Sequence, residues 1–264
     1  MMPEISASRV AALIGLNKYQ PPAQVMYDLL SKNKDIKEEI RNIERSYGRR
    51  PFNVVLGEVM KQTAIKDCIS QGIAEASHTS DVTSVLNDVE ERASVILNLR
   101  YESVSAEARA KLADEVRGMV SKRRGINEED AILNQYEVER GVKVVERNTK
   151  SCRMEFQTFK LTGRTDGYVE SENRIVDSKN RTRMMNEVPV YDEVQLRCYM
   201  VMTGARESEL IERFPGGDTR HTKFVNDPQK WKAIEQAIEK AVAKMTAAVD
   251  DHEQLKRIVF ENTV

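Results

Sequence analysis

GRTDG at residues 163–167 and IVDSKN at residues 175–180 are the two segments that decide the fold of this chain. Each has the residue pattern of a short strand, and the polar tetrapeptide ESEN at residues 170–173 predicts a turn between them. Together they predict a β-hairpin. Because side chains alternate across a strand, Asp177 and Lys179 project from one face, and an antiparallel return brings Asp166 beside them.

Two carboxylates and a lysine at one place favour a particular chemistry. They suit a hard divalent cation and an activated water molecule, which is the equipment of phosphodiester hydrolysis. The alternative is an exposed hairpin whose charges only pair with one another.

Length and composition limit the class of protein. The chain has 264 residues, of which 40% are hydrophobic, so it can bury the core of one large domain or of one domain with a substantial insertion. The 41 basic and 42 acidic residues leave a net charge of −1, which neither indicates nor excludes a nucleic-acid surface. The three cysteines show no paired spacing, the three histidines are dispersed, and no apolar run reaches the roughly 20 residues of a membrane span. We expect a soluble intracellular protein without disulfides, a zinc site or a signal peptide.

The spacing of apolar residues predicts the other elements of structure. Helices are predicted over residues 6–14, 23–30, 128–141 and 190–202, with a last helix that begins at Pro228 after the capping residue Asp227. Strands are predicted at residues 142–146, 154–156, 159–161 and 207–214. Residues 32–124 are charged and helical in pattern.

Four segments resemble, in order, the motifs of one group of enzymes. ISASRV at residues 5–10 is similar to Ile-Thr-Ala-Ser-x-Val, and GINEE at residues 125–129 is similar to Gly-x-x-x-Glu. The hairpin is similar to Asp…Glu-x-Lys, with Asp177 in place of the glutamate, and Gln195 and Tyr199 are similar to Gln-x-x-x-Tyr. The chain thus resembles the PD-(D/E)XK nuclease superfamily and, within it, the YqaJ-like viral recombinases of the phage lambda exonuclease family.

The resemblance implies a set of metal ligands and catalytic residues. Glu129, Asp166 and Asp177 would hold Mg²⁺, for which Mn²⁺ can substitute, together with the backbone carbonyl of Ser178. Lys179 would position the attacking water, and Gln195 would orient the lysine or the water.

Three other acids compete with Glu129 for the role of third carboxylate. Glu58 also heads an apolar helix, although no strand is predicted after it. Glu128 and Asp130 flank Glu129 and could be mistaken for it.

The same resemblance implies residues that bind DNA. Ser6 and Ser8 would lie in a pocket for a 5′ phosphate, unless they only cap the first helix. Arg9 or Arg164 would take the place of an arginine that the family has upstream of this motif. The other predicted contacts to DNA are Arg181, Arg183 and Tyr199, although Tyr199 would either contact DNA or pack within the protein.

The fold implied is α/β (α+β), with a restriction-endonuclease-like central mixed sheet flanked by helices. Residues 1–264 would form a single domain, with residues 32–124 as a helical insertion. That insertion either grips DNA through Arg49-Arg50 or Lys122-Arg123-Arg124, or is a solvated cover.

The implied function is 5′→3′ digestion of linear double-stranded DNA in recombination, with a single-strand annealing protein as partner, a possible homo-oligomer and no membrane. A viral protein of this kind would work in the host cytoplasm or nucleus. An endonuclease or junction resolvase with the same core remains an alternative, as does a non-catalytic DNA-binding or assembly protein.

Overall fold

The computed structural model describes residues 2–264, which form two mixed β-sheets and ten α-helices. The strands are β1 (Glu4–Ser6), β2 (Ser151–Glu155), β3 (Lys160–Arg164), β4 (Gly167–Val169), β5 (Arg174–Asn180), β6 (Glu207–Arg213) and β7 (Thr219–Val225). The helices are α1 (Ala7–Leu13), α2 (Pro22–Leu30), α3 (Lys37–Ser46), α4 (Phe52–Val59), α5 (Thr63–Ser77), α6 (Val82–Arg100), α7 (Ala106–Arg140), α8 (Val190–Thr203), α9 (Pro228–Asp250) and α10 (His252–Glu261). None of these ten helices is long and apolar enough to cross a bilayer.

The predicted hairpin is confirmed, and the mixed α/β fold is confirmed with it. β4 and β5 are antiparallel, Gly167 lies opposite Val176, and a short 3₁₀ turn at Glu170–Glu172 joins the two strands. The sheet is divided in two, however. Sheet I has the order β1-β3-β2 and sheet II has the order β4-β5-β6-β7, and the chain passes from one to the other between Arg164 and Gly167. Asp166 lies at this crossing point.

The strand predicted at residues 142–146 is wrong. Only Val145 pairs there, in an isolated bridge with Tyr168. The reason is local, since Glu146 and Asn148 have φ angles of 54° and 50°. Left-handed backbone turns the chain away from an extended path, so this segment forms a loop instead of a strand.

Helix α7 is much longer than the predicted helix at residues 128–141. It begins after Ser105, whose side chain accepts a hydrogen bond from the Ala108 amide at 3.2 Å, and it ends at Gly141 with a φ of 64°. Gly125, taken as the start of a motif, lies inside the helix. A glycine there costs about 1 kcal/mol relative to alanine, which the packing of both ends of so long a helix offsets.

Three hydrophobic clusters organise the fold, and α7 belongs to two of them. The main core joins both sheets to α1, α2, α3, α8, α9 and α10. A separate helical core, which we define by its buried residues between Phe52 and Val120, joins α4, α5, α6 and the first half of α7. The second half of α7 packs on sheet II through Ile132, Leu133 and Tyr136. Since α3 belongs to the main core, the separate core begins only at α4, and the boundaries of the insertion at residues 32–124 stay a prediction.

Close packing in the helical core provides a test of this arrangement. A Cβ atom on Gly72 of α5 would lie 2.5 Å from Val89 Cγ2 and 3.3 Å from Val120 Cγ2. Because a valine side chain has few alternative rotamers, we expect Gly72→Ala to lower the free energy of unfolding by about 1–3 kcal/mol.

The matched control is Gly118 of α7, which has open space around it. Gly118→Ala should stabilise the helix by about 0.5–1 kcal/mol. Urea unfolding of both variants checks the prediction, and equal effects would contradict it.

Candidate active site

The hairpin and sheet II fix three charged side chains at one place. Asp166 Oδ2 accepts a hydrogen bond from the Ser178 amide at 2.9 Å, which ties the crossing point to β5. Lys179 Nζ lies 2.7 Å from Asp177 Oδ2. Asp177 is buried, whereas Lys179 is 27% exposed. Because β5 pairs with a strand on each side, these side chains have a rigid support.

Glu129 of α7 is the third carboxylate of this group. The Asn148 side-chain amide donates a hydrogen bond to Glu129 Oε1, and the Asn148 backbone amide donates to the Asp166 carbonyl at 3.2 Å. The loop that replaces the predicted strand therefore connects α7 to the hairpin. Its left-handed conformation at Asn148 is one that asparagine adopts more readily than most residues.

The competing acids lie elsewhere. Glu58 of α4 pairs with Arg50. Glu128 lies 3.4 Å from Arg213. Asp130 is 80% exposed and lies 3.7 Å from Arg147.

Gln195 and Tyr199 share one face of α8, as their spacing predicts. Gln195 Nε2 donates to Tyr199 Oη at 3.0 Å and, more weakly, to Asp177 Oδ1 at 3.4 Å. Gln195 thus contacts a carboxylate, where the resemblance implied the lysine or a water. Tyr199 is buried beneath Gly163, and a Cβ atom on Gly163 would lie 2.5 Å from its ring. Contact between Tyr199 and DNA stays a prediction.

Burial and mutual repulsion shift the pKa values of these groups. Burial, followed by the charge of Asp177, raises the pKa of Asp166 from 3.8 to about 8. Burial also raises the pKa of Glu129, against the hydrogen bond from Asn148 and with the charge of Asp177. For Lys179, burial acts to lower the pKa, but the charges of Asp177 and Asp166 outweigh it and the pKa is raised. Asp166 and Glu129 therefore keep their protons to a higher pH than carboxyl groups in water.

This donor set fits a divalent cation. Oxygen ligands of this kind are those that Mg²⁺ prefers, and a cation would offset the charge of Asp177, which after burial is the second cause of the raised pKa of Asp166. Within residues 2–264, however, no group of three His, Cys, Asp or Glu side chains is already arranged to hold a metal ion. The acids instead contact Lys179, Asn148 and the Ser178 amide, which are the donors nearest to them.

A cleft of about 520 Å³ connects the acids to the predicted phosphate pocket. Its lining includes Ser6 and Ser8 at the start of α1, the exposed Arg164, and both Glu129 and Asp166. The two serine hydroxyl oxygens lie 3.4 Å apart. Ser6 precedes α1 without capping it through its side chain. The alternative that Ser6 serves as a side-chain cap is therefore wrong.

Two of the arginines predicted to contact DNA are paired within the protein, and their contact with DNA stays a prediction. Arg9 pairs with Asp28 and lines a different cavity, of about 470 Å³, between α1, α2 and α3. Arg181 is largely buried, and its guanidinium lies 2.7 Å from both Asp192 and Glu212. Their charges are already balanced within the protein. Arg183 is exposed in the loop before α8, and its contact with DNA stays a prediction.

The basic residues of the insertion differ in whether their charges are exposed to solvent or engaged within the protein. Arg49 stacks on Phe260 with 4.5 Å between the guanidinium carbon and the ring centre, and Arg50 pairs with Glu58. Arg124 donates to the Arg181 carbonyl at 3.3 Å. Lys122 and Arg123 are exposed on the middle of α7.

Two residues at the site, Asn148 and Asp192, could not be identified as site residues from the sequence. Asn148 stands in a polar loop that resembles any other turn. Asp192 precedes Gln195 by one turn of α8 and is buried, although an acid in the first turn of a helix is usually a solvated residue that favours the helix dipole.

Comparison with known proteins gives one family and several distant structures. A family model described as the PD-(D/E)XK nuclease superfamily matches residues 62–262. The chain is similar to the alkaline exonuclease LHK-Exo from Laribacter hongkongensis, with 14% sequence identity, a TM-score of 0.41, and coverage of 61% of this chain and 90% of that chain. It is also similar to a phage related exonuclease from Haemophilus somnus 129PT, with 14% identity, a TM-score of 0.38, and coverage of 53% and 73%. No curated protein matches the sequence.

The raised pKa of Asp166 has a consequence for stability. In the unfolded chain this pKa lies near 3.8, whereas in the folded protein it is about 8. The folded state binds the proton more tightly, so the contribution of this group is fully present below about pH 4 and is lost as the pH rises through 8. At pH 8.5 without metal, we expect Asp166→Asn to raise Tm by about 2–8 °C, and the gain should vanish near pH 4. Thermal unfolding across this range is the measurement. Asp218→Asn, in an exposed turn, is the control, and a pH-independent gain would contradict the assignment.

Proposed function

We propose that this chain, which belongs to the PD-(D/E)XK nuclease superfamily, is a metal-dependent deoxyribonuclease that removes nucleotides from the 5′ ends of linear duplex DNA. The observation that carries the proposal is the composition of the cleft. Two serine hydroxyls and Arg164 line the same 520 Å³ space as Glu129 and Asp166. A terminal phosphate held by the first group would leave the neighbouring phosphodiester close to the second.

Glu129, Asp166 and Asp177, with the Ser178 carbonyl, are the proposed ligands of a divalent cation. We expect Mg²⁺, with Mn²⁺ as a substitute. When bound, the cation supplies Lewis acidity, which lowers the pKa of a water molecule and offsets the charge of the scissile phosphate.

The residues of the chain orient the reacting groups. The Ser178 amide holds Asp166, Asn148 holds Glu129, and Gln195 contacts Asp177. Lys179, partly exposed beside Asp177, carries the positive charge that stabilises negative charge on the phosphate as the bond breaks.

The 5′ phosphate site consists of hydroxyl donors and one guanidinium. Ser6 and Ser8 donate hydrogen bonds to phosphate oxygens, and Arg164 balances their charge. Exposed cations outside the cleft, among them Arg183, Lys122 and Arg123, hold the DNA backbone without reading its sequence. A role in recombination, an annealing partner and a homo-oligomer belong to the same proposal.

Removal of a catalytic group should abolish hydrolysis while DNA binding persists. We expect Asp177→Asn and Lys179→Ala to lower kcat by about 10³-fold or more on linear duplex DNA with Mg²⁺, because each removes charge needed in the transition state. Release of mononucleotides from end-labelled DNA is the measurement. Glu58→Gln, which changes the competing acid on α4, is the control and should retain activity.

Other outcomes of the same assay separate the alternatives. Equally rapid cleavage of a covalently closed circle would show an endonuclease or resolvase. The absence of hydrolysis by the wild type with either Mg²⁺ or Mn²⁺ would support a non-catalytic DNA-binding protein.

The 5′ phosphate site predicts a selective loss of preference. Arg164→Ala should lower kcat/KM about 10-fold or more for DNA with a 5′ phosphate and leave DNA with a 5′ hydroxyl nearly unchanged, since one charge-assisted hydrogen bond contributes about 1.5–3 kcal/mol. Arg123→Ala, an exposed arginine outside the cleft, should affect both substrates alike. Rates on the two ends, compared for each variant, check this, and an equal loss on both ends in Arg164→Ala would refute the assignment.

A further inference from the structure

The neighbourhood of Lys179 contains a second carboxylate that the proposed reaction does not use. Asp177 and Lys179 alternate along β5, and Arg181 follows directly after it, where its amide continues the pairing with the Arg213 carbonyl, so the three side chains face α8 together. On α8, Asp192 and Gln195 lie one turn apart. Gln195 contacts Asp177 at 3.4 Å, and Asp192 contacts Arg181 at 2.7 Å. Lys179 therefore lies along the strand between one contact that involves Asp177 and another that involves Asp192.

The acids around Lys179 differ in the oxygens that they have free. Glu212 of β6 lies opposite Lys179 in the sheet and is fully buried, but its Oε1 accepts from Arg181 at 2.8 Å and its Oε2 accepts from Arg220 at 2.7 Å. Asp192 is only 3% exposed, and its Oδ2 accepts from Arg181. No donor among residues 2–264 contacts its Oδ1. Asp192 thus keeps one carboxylate oxygen free to accept a hydrogen bond, and a charged acceptor of this kind favours the approach of a cation.

Asp177 has two competing roles. Its Oδ2 pairs with Lys179 at 2.7 Å, yet the proposed function requires the same carboxylate for a divalent cation. A cation at Asp177 would displace the ammonium group and repel it.

We propose that Asp192 is a positioning residue, to which the Lys179 ammonium turns through Oδ1 when a divalent cation occupies Asp177. The inference rests on the proposed cation site. It gives Lys179 two defined positions on one face of α8, so the lysine stays beside the scissile phosphate instead of moving into solvent. The charge of Asp192 already contributes to the raised pKa of Lys179, after the larger effects of burial, Asp177 and Asp166.

Asp192 is itself held in place independently of Lys179. Arg181 links it to Glu212, and Glu212 in turn binds Arg220. Arg220 Nη1 donates to the carbonyls of Met185 and Asn186 at 2.7 and 3.0 Å, which fastens the loop between β5 and α8. The acceptor is therefore pre-organised, and only the flexible lysine side chain has to move.

Crystal structures of the wild type with EDTA and with Ca²⁺ test the inference directly. We expect Lys179 Nζ on Asp177 without cation, and within about 3.5 Å of Asp192 Oδ1 with Ca²⁺ bound. Ca²⁺ at the acids with Lys179 still on Asp177 would overturn this inference and leave the proposed function intact. Failure of Ca²⁺ and Mn²⁺ to bind at the acids would overturn both.

Kinetics with a matched control provide a second test. Asp192→Asn should lower kcat about 10- to 100-fold, with KM for DNA and the Mg²⁺ concentration for half-maximal rate changed less than about two-fold, because only the position of Lys179 is lost. Asp192→Glu should recover part of kcat. Glu212→Gln loosens the same arginine cluster but removes no acceptor from Lys179, so its kcat should stay within about three-fold of the wild type. Equal losses of kcat in Asp192→Asn and Glu212→Gln, in proportion to their losses in Tm, would show a structural role alone and overturn the inference.

Discussion

Repulsion among three carboxylates is the constraint on which the site depends. Glu129, Asp166 and Asp177 come from α7, the crossing between the sheets, and β5, and the charge of Asp177 adds to burial in raising the pKa of both Glu129 and Asp166. Glu129 accepts a hydrogen bond from Asn148 in the loop after α7, whereas Asp166 and Asp177 contact the adjacent residues Ser178 and Lys179 of β5. The contacts around the hairpin therefore hold like charges close together. Binding of a cation would relieve the repulsion between them.

Sheet II is also held by buried charge, at two fully buried glutamates of β6. Glu209 accepts hydrogen bonds from Tyr136 and Arg174, both at 2.8 Å, and from Arg140 at 3.1 Å. Glu212 binds Arg181 and Arg220 as described above. Since a buried carboxylate without partners is strongly destabilising, a shift in strand register would leave these acids uncompensated. The pairing of β5 with β6, and with it the position of Asp177, is therefore closely specified.

Local signals in the sequence were enough for the hairpin, for α8 with its closing Gly204, and for the cap of α9 at Asp227. They failed where partners are distant in sequence. Arg9 was predicted to replace an upstream arginine of the family and Arg181 to hold the duplex, yet in the fold Arg9 pairs with Asp28, and Arg181 pairs with Asp192 and Glu212. In the same way, α10 was missed and α7 was cut short, because tertiary packing decides where a charged helix begins and ends.

Helix α7 has its two ends in different cores, and Glu129 stands close to only one of them. Polar contacts fix α7 to sheet II on the N-terminal side of its apolar contact with that sheet as well, since Arg124 donates to the Arg181 carbonyl at 3.3 Å and Glu128 lies 3.4 Å from Arg213 of β6. Glu129 therefore lies within the part of α7 that is fastened to the sheet, about 35 Å along the helix axis from Ala106. Because one continuous helix keeps its direction from end to end, the contacts that place Glu129 also set the direction in which the helical core projects from the sheet.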